Sequence, residues 1–112
     1  MLMSNLSVKH VKLGKLFTNC YCLSIGNACV LIDAGSDDAR AFARINELIW
    51  EKELLGIICT HNHFDHICGL HLFADVKKFM HPLDIDRLPD MNKRSKEVWN
   101  VVVPPTGELT HM

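Results

Sequence analysis

The sequence predicts an α/β domain built on one mixed β-sheet with flanking helices, and three stretches carry that expectation. Two apolar runs, 19–25 and 28–33, are separated only by Gly26-Asn27, a pair that tolerates the positive φ of a tight hairpin turn. From 38 to about 52, Ala39, Phe42, Ile45 and Ile49 recur at steps of three and four, which draws one apolar stripe down a helix. The short continuous run Leu54-Leu55-Gly56-Ile57-Ile58-Cys59 then suits a strand covered on both faces, so strand, helix and strand succeed one another as in a βαβ layer.

The remaining elements follow in chain order. Between Val8 and Leu13, Val8, His10 and Lys12 fall on one side and Lys9, Val11 and Leu13 on the other, a half-buried strand ended by Gly14. Asp33-Ala34-Gly35-Ser36 breaks the strand pattern after the hairpin, and Ser36 or Asp37 stands where a side chain accepts a backbone N–H at the next helix start. After His66 the segment Ile67 to Phe73 is apolar at helical spacing, Val76 to Met80 reads as a strand, and Pro82 opens a short helix through Leu88. Beyond Pro89 the pattern degrades. Asn92 to Lys96 is solvated and Pro104-Pro105-Thr106-Gly107 reads as a turn or tail, while Val101-Val102-Val103 is an apolar run in need of a partner.

Length and composition bound the function. At 112 residues the chain makes one folding unit, with 48% apolar and 22% charged residues and a formal charge of −1. That charge leaves no electrostatic footprint for nucleic acid, so a nuclease reading ranks last. The longest apolar stretches fall far short of the roughly 20 residues that cross a bilayer, and Lys9, Lys12 and Lys15 interrupt the N-terminal segment, so the expected location is cytoplasmic with no membrane contact. Cys20, Cys22, Cys29, Cys59 and Cys68 are odd in number and contain no Cys-x-x-Cys pair, which favours reduced, buried thiols over a disulfide frame or a metal cluster.

The chemistry concentrates in Thr60-His61-Asn62-His63-Phe64-Asp65-His66, where three histidines and one aspartate fall just past a buried strand. In extended backbone, residues i and i+2 point the same way, so His61 and His63 can share a metal through their imidazole nitrogens. If a helix starts next, Asp65 and His66 face a second position about 3.5–4 Å away, the spacing of two-metal hydrolases. Imidazole and carboxylate donors with no thiolate favour zinc, one or two ions, with iron, manganese or nickel as alternatives. Two such cations make hydrolysis the natural reaction class, and Asp65, the carboxylate among the donors, is the candidate catalytic residue. The bland alternative makes each histidine a surface residue and Asp65 the N-cap of the following helix. Four donors at this spacing argue against it.

Thr60-His61-Asn62-His63-Phe64-Asp65-His66-Ile67-Cys68-Gly69-Leu70 resembles the Thr-His-x-His-x-Asp-His signature of the metallo-β-lactamase superfamily. The resemblance extends back through Asn19-Cys20-Tyr21 and Leu31-Ile32-Asp33-Ala34-Gly35 and forward to Phe79-Met80-His81-Pro82, roughly residues 8 to 90. It implies the N-terminal half of an αββα sandwich, with 1–90 as the half-domain and 91–112 as a poorly structured or truncated tail. It also implies that His61 and His63 bind a first metal, Asp65 and His66 a second, and that Asp33 orients a ligand from behind, the alternative for Asp33 being an ordinary strand-end cap. Members include hydroxyacylglutathione hydrolases, which this chain is read as resembling, together with lactonases, β-lactamases and nucleases. The family completes its site with a third histidine in a Thr-Pro-Gly-His-like segment, a bridging aspartate and a last histidine. None of those contexts occurs here, and His71, His81 and His111 do not replace them. Two readings follow. One is a zinc-dependent hydrolase of a small ester, thioester or lactone, carried by an incomplete chain. The other is a non-catalytic metal-binding half-domain that forms a homodimer or pairs with a missing C-terminal half or another chain.

Overall fold

The computed structural model describes residues 5–112, so the first residues of the predicted 1–90 unit and of the N-terminal segment lie outside it. Strands β1 (Leu6–Leu13), β2 (Thr18–Ile25) and β3 (Ala28–Ile32) form an antiparallel meander, the last two joined by the turn at Gly26, whose φ of 58° needs no side-chain accommodation. Helix α1 (Ala39–Leu48) crosses over to β4 (Glu53–Ile58), which pairs parallel with β3. After the one-turn helix α2 (Phe64–Ile67) and a 3-10 turn at Leu70–Phe73 come β5 (Lys78–Met80), α3 (Pro82–Trp99) and β6 (Thr110–His111). The six strands lie in the order β1-β2-β3-β4-β5-β6, antiparallel over the first three and parallel over the rest, the mixed sheet that the patterning predicts.

One face of the sheet carries the core. Leu13, Cys20, Cys22, Cys29, Leu31 and Ile57 are buried there with Ala41 and Ile45 of α1 and Leu70 and Phe73 of the 3-10 turn. All five cysteines are free and buried, and burial pushes the thiols of Cys20 and Cys59 up to about 12 and those of Cys29 and Cys68 to about 11. They stay protonated and act as small apolar side chains. Lys78 is buried on this side, and its ammonium donates to the carbonyls of Phe73 (2.7 Å) and Val76 (3.1 Å), which closes the 3-10 turn onto β5.

Four expectations are corrected. Asp38, and neither Ser36 nor Asp37, caps α1, its carboxylate accepting from Ala41 N at 2.8 Å while Ser36 Oγ donates to it at 2.7 Å. The predicted helix from Ile67 to Phe73 is two short pieces, because the Gly69 N–H leaves the helical pattern to bond Ala34 O at 2.8 Å. The helix opened by Pro82 continues past Leu88 to Trp99, with Pro89 inside it. The stretch after residue 90, read as poorly structured, therefore holds ordered elements at its two ends: the rest of α3, and β6 pairing Thr110 with Phe79 and His111 with Met80. Met91, Ser95 and Trp99, four apart on α3, supply the packing that a hydropathy reading of Asn92–Lys96 conceals.

Candidate metal centre

The site stands at the carboxyl ends of the parallel strands, where α/β sheets leave a crevice. Asp33 follows β3 with φ 62°, a left-handed conformation that costs a non-glycine residue strain and turns its side chain under the loop after β4. Its backbone is held there by Asp33 N donating to Ile58 O at 2.9 Å. The carboxylate is 4% exposed and accepts three hydrogen bonds: Thr60 N to Oδ1 at 2.8 Å, and Thr60 Oγ1 (2.6 Å) and His66 Nδ1 (2.8 Å) to Oδ2.

These bonds settle two tautomers. A carboxylate only accepts, so His66 carries a proton on Nδ1 and turns Nε2 into the site. Thr60 commits its one hydroxyl proton to Asp33, so at 2.9 Å its oxygen accepts from His61 Nδ1–H, which leaves His61 Nε2 unprotonated with its lone pair free. Asp33 therefore orients one imidazole directly and a second through Thr60. The hydrogen bond from His66 to Asp33 raises the His66 pKa above the ordinary value against the opposing effect of burial. Burial, then the proximity of His66 and His63, lowers that of His61 and keeps it neutral.

His61 leads the loop, His63 takes the N-cap position of α2, and Asp65 and His66 sit in its first turn, so Asp65 is not the cap. The rings gather closely: centroids of His61 and His63 lie 4.6 Å apart and those of His61 and His66 3.9 Å apart. Asp65 Oδ2 is 3.3 Å from His66 Nε2 and accepts from Thr18 Oγ1 at 2.7 Å, a contact made across 47 residues of sequence. Three imidazole rings and the Asp65 carboxylate thus form one cluster. Among the described residues no three His, Cys, Asp or Glu side chains already surround a common point as a metal cage. Their chemistry fits a metal in pairs, through two imidazole nitrogens or one nitrogen and one carboxylate oxygen.

Glycines hold the frame. A Cβ on Gly35 would run into the carbonyl of Asp65, and one on Gly69 into the carbonyls of Ala34 and Ser36. The 34–36 loop and the start of α2 are pressed together to that limit, which is why glycine stands at both points. Asn62, buried between the two histidines, donates to Asp84 O at 3.0 Å and ties the loop to α3. Of the other histidines, His81 caps α3 by accepting from Leu83 N at 3.1 Å, His71 Nε2 lies 3.7 Å from Asp37 Oδ2, and His111 is exposed on β6. Thr18, Thr60 and α3 residues Arg94 and Trp99 border the site and were not singled out by sequence reasoning. Thr60 lies within the motif and was within reach; the others depend on long-range packing.

A family model described as Metallo-beta-lactamase superfamily matches residues 13–108. A protein of Streptococcus pyogenes serotype M6 named as a probable metallo-hydrolase is 41% identical over 64 residues, 57% of this chain and 26% of its own length. A solved structure of BLEG-1 B3 metallo-beta-lactamase superposes with TM-score 0.78 at 28% identity, over 95% of this chain and 52% of that one. TTHA1623 in a di-iron-bound form gives 0.72 at 26% identity, over 93% and 52%. The chain spans about a quarter of the curated relative and about half of each solved structure.

Proposed function

We propose, from the premise that this chain belongs to the metallo-β-lactamase superfamily, that it carries the metal-binding part of a metal-dependent hydrolase acting on a small ester, thioester or lactone. The observation that carries this reading is the Asp33 carboxylate, buried and hydrogen-bonded to His66 Nδ1 directly and to His61 Nδ1 through Thr60, which leaves Nε2 of both rings clear of it, that of His66 3.3 Å from Asp65 Oδ2. A buried carboxylate that aligns imidazoles through Nδ1 is the partner that metal-ligating histidines commonly have.

His61 and His63 would hold one ion and Asp65 and His66 a second. Zinc suits these donors best, and the di-iron form of a related structure keeps iron as the alternative. Such an ion, when bound, lowers the pKa of a coordinated water and polarises a carbonyl oxygen. The chain's own contributions are separate. Asp33 fixes the two imidazoles, and Thr18 anchors Asp65 through Oδ2 while Oδ1 accepts no hydrogen bond from the described residues. Asp65 is thereby placed to take a proton from an attacking water as well as to bind metal. Two protein donors per ion hold it less firmly than the usual three, so the reading expects modest affinity. Zinc-supplemented protein should hydrolyse a panel of small thioesters and lactones, with activity abolished by chelator and by His63→Ala. Hydrolysis indifferent to both would sink the assignment.

A second reading is favoured by one observation. Leu6, Val8 and Ile25 are 61%, 57% and 49% exposed on a single open face of the sheet. On that reading the chain is a metal-binding half-domain whose open face is covered by a second copy or another chain.

A further inference from the structure

Beside the histidine cluster lies a concavity of about 250 Å³ between the β1–β2 connection, α2 and α3. Its walls are apolar: Leu16 on one side, Phe64 on α2, and Met91 and Trp99 on α3. The rings of Phe64 and Trp99 pack with centroids 5.6 Å apart, which fixes the α2–α3 spacing. His63 and Asp65 border one end, so the space opens directly on the candidate metal donors.

Arg94 is the one Lys or Arg lining this space. It follows Met91 by three residues on α3 and so shares the face that looks toward α2. Among the described residues its guanidinium makes no ion pair, although Asp90 and Glu97 stand within one turn of it on the same helix. A planar guanidinium without a carboxylate partner, at the rim of an apolar recess, is suited to a carboxylate carried on an apolar body. Asp65 would repel such a group at the other end, which sets the orientation.

We propose that this recess selects an anionic acyl compound, with its apolar chain lying against the packed Phe64–Trp99 pair and Leu16, its carboxylate on Arg94, and its opposite end toward His63 and Asp65. The placement of a scissile carbonyl at that end rests on the hydrolase reading above; the preference for an anionic, apolar ligand does not. Arg94 is then a specificity-determining residue.

The chain holds two tryptophans, Trp50 and Trp99, so Trp50→Phe leaves emission from the recess alone. Metal-free protein in that background, kept in chelator, is titrated with hexanoate and with its neutral counterpart hexanamide. Hexanoate should bind at least tenfold more tightly, with the difference lost in Arg94→Gln and partly kept in Arg94→Lys. Equal binding of the two probes, a preference that survives Arg94→Gln, or no saturable change with either would overturn the proposal. No hydrolysis enters this readout. A protein that prefers hexanoate but cleaves nothing refutes only the enzymatic reading, and one that cleaves thioesters without the preference refutes only the recess.

Discussion

Single residues set the site more than the elements around them. Asp33 takes a strained backbone conformation and in it its carboxylate accepts three hydrogen bonds, and Gly35 exists because the carbonyl of Asp65 fills the place of a side chain. The metal-donor motif was legible because its donors are local, four within six residues, and strand and helix periodicity alone tell which share a side. Thr18 was not legible, since its bond to Asp65 joins residues 47 apart and only the folded sheet brings them together. The helix cap offers a test at this scale. Hydrogen bonds from Ala41 N and then Ser36 hold the Asp38 carboxyl below its usual range. A carboxyl with a lower pKa in the folded chain stabilises it above the unfolded value, near 4, and that contribution fades as pH falls through the folded value. Asp38→Ala should therefore lower stability by about 1 kcal/mol in denaturant titration at neutral pH. The gap between variant and parent should close at acid pH; a gap that stays constant would contradict the cap.

At the scale of elements, the hairpin, α1 and β4 were legible because each follows one period over its whole length and is bounded by turn residues. Helix α3 was not. Pro89 removes an N–H from its interior, and the charged run that follows looks like a solvated loop until Trp99 is seen against Phe64. Its end is equally local in cause: Asn100 adopts φ 55° and Val101 N donates to Ser95 O at 3.2 Å. Tertiary packing thus overrides a breaker. Pro89→Ala restores the missing donor and should raise stability, by roughly 1 kcal/mol or more given what an interior proline costs. A lower melting temperature would mean that the pyrrolidine ring packs where an alanine cannot.

For the molecule as a whole, the sheet is finished on one side only. Cysteines, α1 and the 3-10 turn cover one face, while Leu6, Val8 and Ile25 stand open on the other. The mixed sheet could be anticipated from the order of the elements. The width of its parallel part could not, because β6 is two residues long and owes its place to pairing with β5. Light scattering over a concentration series should show self-association of this chain, weakened in a Leu6→Lys, Val8→Lys variant; a strictly monomeric, folded parent would count against the half-domain reading. The central claim concerns the cluster itself and is met most directly by elemental analysis of protein purified without chelator, alongside a His61→Ala, His63→Ala variant. The account predicts about one to two transition-metal ions per chain, zinc foremost, lost in the variant while the fold is kept. A folded parent that remains metal-free after incubation with zinc would contradict it.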